Sequence, residues 1–189
     1  ATTSKYEETS STATEGLDGK LIAFMTDVYE PMTIAITWFC VIAGTIFIMI
    51  GISRLLKTAQ DGPRGPGGVG TIMTFLVGGA MVAFSPMIAS FSMSFFGTAS
   101  VDTFAELQYT GGADTTAIEH MNAVIRAAVR FMVVLGMLSF ARGLFLIRDV
   151  SEGNQQASLM AAVTHLAGGT LAINIGPVIT AVQTTLGIT

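Results

Sequence analysis

The chain of 189 residues has 51% apolar side chains and only 12% charged ones, where a soluble domain carries roughly 25% charged. Its mean hydropathy is +0.64, and its net charge of −4 comes without a basic tail. That excludes an ordinary soluble domain and leaves no electrostatic footprint for direct nucleic-acid binding.

Residues 1–16 are rich in Ser, Thr and Glu, too polar to bury a core of their own, so order there has to come from docking on a neighbour. The chain opens Ala-Thr-Thr, which fits a removed leader and hence export into or across an inner membrane. Over residues 17–30, Leu17, Leu21, Ile22, Met25 and Val28 fall at helical spacing on one face. This segment is expected to be a short amphipathic lead-in helix, broken or kinked near Pro31. Trp38 stands where an interfacial anchor is plausible.

From Pro31 to Ser53 there is no charge, and from Gly65 to Val101 there is none either. Runs of that length match the ~20 residues that cross a bilayer core. Between them lie Arg54, Lys57 and Arg64 against Asp61, in a turn rich in Gly and Pro. No Gly-Lys-Ser/Thr follows it, so it is not a phosphate-binding loop. Residues 98–114 form an acidic linker with no Lys or Arg. Residues 115–130 repeat the amphipathic lead-in, with Ile118, Met121, Val124, Ile125, Ala128 and Val129 as its stripe.

The second half echoes the first. Phe39, Gly44 and Gly51 match Phe131, Gly136 and Gly143 at one offset; Gly78-Gly79 matches Gly168-Gly169, Gly97 matches Gly187, and Pro86 matches Pro177 with a one-residue slip. The order of these matches predicts an internal duplication. The expected fold is all-α: duplicated helical hairpins, with four hydrophobic membrane-type helices and two amphipathic lead-ins. The division is a polar segment 1–16, a first hairpin unit 17–97, an acidic linker 98–114 and a second hairpin unit 115–189. Gly44, Gly51, Gly78, Gly79, Gly136, Gly143, Gly168 and Gly169 are candidate close-contact positions between helices. Pro86 and Pro177 are candidate kinks.

The distribution of Lys and Arg places both turns on the cytoplasmic side, with both termini and the linker periplasmic. Nothing points to an enzyme: no base stands beside a nucleophile and no metal-ligand spacing occurs. Cys40 is read as a small packing residue, and His165 as a neutral histidine bonded to a facing helix or else an intramembrane functional group. Arg142 lies inside a helix end, where it either snorkels to headgroups or faces a lumen or a lipid phosphate. Asn174 and Gln183 make the last helix the most polar, so it is expected to pack inside a bundle or an assembly.

A lead-in helix, two apolar helices and a short basic turn between them, here Arg54-Leu-Leu-Lys57 with Arg64, resemble the plan of type IV secretion and conjugation pilins. The chain also resembles the small inner-membrane proteins of type IVB systems, the Dot/Icm apparatus and its IncI-type conjugative relatives. The resemblance implies a subunit that waits in the bacterial inner membrane and is extracted into an extracellular helical tube. It implies a homo-oligomer with structural phospholipid between subunits and no other cofactor. Other machine subunits would be partners, and DNA or protein cargo would meet it only through a lumen. Arg54, Lys57, Arg64, Arg142 and Arg148 would then neutralise lipid phosphates or line that lumen. The alternatives are a permanent inner-membrane component of the same machine and a small transporter or channel.

Overall fold

The computed structural model describes residues 17–61, 68–97 and 115–187. Arg64, the polar segment 1–16 and the linker lie outside the described residues. All regular structure among the described residues is helical: α1 (Leu17–Asp61), α2 (Val69–Val82), α3 (Phe84–Phe96), α4 (Thr115–Ser151), α5 (Leu159–Ile173) and α6 (Ile175–Leu186).

Two elements are longer than the sequence suggests. The first lead-in and the first apolar run form one continuous 45-residue helix with Pro31 inside it. At 1.5 Å per residue α1 is about 68 Å long, against a bilayer core of about 30 Å. The expected break at Pro31 does not occur. Proline withholds its N–H from the Asp27 carbonyl alone, and the helix carries on to either side with one backbone bond fewer. The second lead-in likewise merges with its apolar run into the 37-residue α4. Both α1 and α4 are long and apolar enough to cross a membrane. The lead-ins are therefore extensions of the two long apolar helices and not separate elements.

The other two apolar runs differ in the opposite sense: each is broken in two. α2 and α3 meet at 91°, α5 and α6 at 86°. The breaks fall at Ala83 and Asn174, three residues before Pro86 and Pro177. This spacing has a simple cause. Proline has no N–H to give the carbonyl four residues earlier, and its ring crowds that carbonyl, but it fits the first turn of a new helix. The chain therefore turns at Ala83 and Asn174 and restarts, with Met87 N–H on the Ala83 carbonyl at 2.8 Å and Val178 N–H on the Asn174 carbonyl at 3.2 Å.

α1 packs on α2, α4 on α5, and α4 also touches α1 and α2. Along α1 and α2 the contacts run Gly51 to Phe75 and Gly44 to Gly78, so the two are antiparallel. α1 and α4 run parallel: Thr26 meets Arg130, Phe47 meets Phe145 and Arg54 meets Glu152. The core between them holds Cys40, Phe47, Met81, Phe84, Val133, Phe140, Leu144 and Ile173. Phe140 is its centre, edge-on to both Phe84 at 5.9 Å and Phe91 at 5.2 Å. A large apolar surface stays outside, including Phe39, Ile42, Ile46 and Met49 along α1, as expected of helices solvated by lipid.

Candidate functional site

Two kinds of contact organise the molecule, one made of glycine and one of charge. In α1 and α2 a Cβ on Gly44 would stand 2.6 Å from the Gly78 carbonyl oxygen, and one on Gly78 would stand 2.9 Å from that of Gly44. In α4 and α5 a Cβ on Gly136 would stand 2.8 Å from the Gly169 oxygen, and one on Gly169 would stand 2.8 Å from that of Gly136. No side chain fits at either crossing, and the backbones touch. Gly51 faces Phe75 at 3.3 Å and Gly143 faces Leu166 at 2.7 Å in the same sense. Gly136 and Gly143 stand 92 residues after Gly44 and Gly51, while Gly169 and Leu166 stand 91 after Gly78 and Phe75. The breaks at Ala83 and Asn174, and Pro86 and Pro177, are also 91 apart.

Six of the eight candidate glycines are therefore at helix contacts. Gly79 and Gly168 are not: a Cβ on either would meet nothing within 4 Å. By sequence alone Gly78-Gly79 matches Gly168-Gly169 as pairs. In space Gly78 answers to Gly169, which also removes the one-residue slip between the prolines.

The charged contact lies at the turn end. Arg54 from α1 donates to Glu152 Oε1 at 2.8 Å, and Arg148 from the last turn of α4 donates to Oε1 and Oε2 at 2.9 Å each. Thr74 Oγ1 from α2 is 3.1 Å from Oε1 and 2.8 Å from the Gly70 carbonyl, so one proton serves two acceptors. The Arg148 guanidinium also lies 4.4 Å over the Phe47 ring, a cation–π contact. Partial burial pushes the Glu152 carboxyl up, but the Arg148 charge and the hydrogen bonds of Arg54 and Thr74 together outweigh it. The carboxyl is held below its ordinary value of 4.5. Close by, a Cβ on Gly70 would stand 2.9 Å from the Ser151 carbonyl, which explains why the start of α2 needs glycine.

Arg54 and Arg148, read from the sequence as cations for lipid phosphate or a lumen, thus share a carboxylate within the chain. Glu152 was missed, although Arg148 and Glu152 have the i,i+4 spacing that signals an ion pair. Lys57 is exposed on the same end of α1. Arg142 is elsewhere: it edges an open groove of about 460 Å³ between α1 and α4 with Ile36, Phe39, Leu138 and Phe145. Among the described residues, the four predicted cations Arg54, Lys57, Arg142 and Arg148 do not form one cluster.

At the opposite end Arg130 is half-buried, donating to Thr26 Oγ1 at 3.1 Å and lying 5.6 Å over the Tyr29 ring. His165 is half-buried with Nδ1 3.1 Å from Ser139 Oγ on the facing α4. Asn174 is fully buried at the second break, its Nδ2 donating to Ser92 Oγ and to the Thr170 carbonyl, both at 2.8 Å. Among the described residues no three of His, Cys, Asp and Glu come together. No family model matches the chain, and no curated protein or solved structure does either.

Proposed function

We propose that this chain is a structural subunit, an internally duplicated helical hairpin of pilin type that polymerises from the bacterial inner membrane into a conjugative or type IV secretion pilus. The observation that carries the duplication is the glycine crossing made twice, Gly44 on Gly78 and Gly136 on Gly169, with a near-right-angle bend after each. The pilin assignment rests on the resemblance of the basic turn between two apolar helices. In this reading the exposed apolar faces of α1, α2 and α4 are the assembly surface, and phospholipid fills what protein leaves open. Exposed Lys57 and Arg142 remain as the cations for lipid phosphate or lumen, Arg64 belongs to the same turn, and Arg54 and Arg148 fix the turn end. Phosphate contact needs only charge and reach, so cargo passage would not depend on sequence.

A second reading is a component of the same machine that stays in the inner membrane. The two near-right-angle bends favour it, because a helix turned out of the membrane normal suits a fixed interface. Negative-stain microscopy and mass spectrometry of material sheared from cells expressing the whole locus decide between them. Filaments composed mainly of this chain support the pilin. Filaments without it, and the chain held in the inner-membrane fraction, support the fixed component.

A further inference from the structure

The two arms that follow the bends are placed differently. α3 crosses the second pair of helices: Phe84 and Phe91 pack edge-on against Phe140, and Ser92, fully buried, receives the amide of Asn174. α6 stands 91 residues later in the same position relative to its own bend, yet Val182 and Gln183, the counterparts of Phe91 and Ser92, are exposed. α4 is packed by α1, α2 and α5, and its buried surface has its own counterpart 92 residues earlier. Val134, Ala141 and Leu144 are 2–7% exposed, whereas Ile42, Met49 and Ile52 at the matching positions of α1 are 46–61% exposed. The molecule thus carries one filled interface and both halves of a second, unfilled.

We infer that the occupant is a second copy of this chain, whose α1 lies beneath the α6 of the first as α4 lies beneath α3. The step between copies continues the step inside the chain. It deepens the polymer reading above and rests on it. Ile48 takes the place of Phe140, so Val182 of one copy meets Ile48 of the next. Gln183 comes to the bend at Ala83, where Pro86 withholds the helical donor from the Val82 carbonyl. A glutamine amide on a lipid-facing surface wants such a partner. The charged contact is not repeated: Leu146 replaces Arg54, while Leu56 and Gln60 replace Arg148 and Glu152. Contacts between copies are therefore apolar where the contact within the chain is ionic. Because donor and acceptor faces differ, the arrangement is head-to-tail and yields a ring or a helix, never a closed two-fold dimer.

The test is thiol crosslinking in membranes of the full chain carrying Cys40→Ala, Val182→Cys and Ile48→Cys, with copper phenanthroline as oxidant. The expected result is a covalent ladder of dimers, trimers and larger species that collapses on reduction. Each single variant should stop at a dimer or give none. Native mass spectrometry of the same material, without oxidant, gives the assembly size independently, and circular dichroism confirms that the helices remain. Oligomers that give no ladder overturn this interface and leave the polymer reading standing. Monomers throughout, with lipid on both faces, overturn the polymer reading and this inference with it.

Discussion

The glycine crossings in the middle of the helices and the charged contact at the turn end join the same elements by opposite means. At the crossings the backbones meet because nothing stands between them, and the fit tolerates no added atom. At the turn end three elements converge on one carboxylate that remains 23% exposed, so water and salt share in the balance. Geometry is fixed where the chain is uncharged, and charge only trims it. The steepest losses should come from the smallest change, a methyl group at a crossing.

Gly136→Ala with Gly169→Ala is expected to lose about 3 kcal/mol or more, seen as a fall in the midpoint of thermal unfolding in detergent micelles. An unchanged midpoint would mean that the helices are not in contact there. Asn174→Ala removes the hydrogen bond to Ser92 across the bend and should cost about 1 kcal/mol. In that variant amide exchange should rise in α3 as well as around residue 174; a rise confined to the second break would show that the arm is held by aromatic packing alone. Glu152→Gln should cost about 1 kcal/mol at neutral pH. Since the folded carboxyl titrates below its ordinary value of 4.5, its contribution is complete above that value and fades as pH falls through the lowered one. Wild type and Glu152→Gln should therefore converge in acid, and a difference that persists there would assign the effect to packing. The smallest effect has the opposite sign. Gly79→Ala and Gly168→Ala meet open space, so alanine's helix propensity should raise stability by about 0.5–1 kcal/mol, while their neighbours Gly78→Ala and Gly169→Ala lower it.

Much of this was legible in the sequence because lipid imposes simple demands. Uncharged runs of sufficient length gave the apolar helices, and the glycines marked the contacts. The register between Gly78 and Gly169 was not legible, because two adjacent glycines align equally well in either frame until a facing helix chooses. Pro31 and Pro86 show the limit of reading proline alone. Pro31 lies inside a helix that continues on both sides, whereas Pro86 and Pro177 each begin a new helix after a right-angle turn, and only the surrounding packing separates these outcomes. Counting Lys and Arg for orientation hid Glu152, whose importance comes from the two guanidinium groups that fold onto it. The polar last segment was expected to pack inside a bundle or an assembly; within one chain Asn174 is buried and Gln183 is exposed.

Trp38 is the sole tryptophan, and it borders a cleft of about 340 Å³ together with Tyr29, Thr33, Ser85, Ile88 and Ile173. The indole thus lies where α1 passes the first bend, with most of its surface uncovered. Excited above the tyrosine band, its emission reports on that corner without a label or a second tryptophan to subtract. A blue shift and loss of quenching by a soluble or lipid-borne quencher would time the filling of the cleft in unmodified protein, and brominated lipid chains would give the depth of the ring in the bilayer.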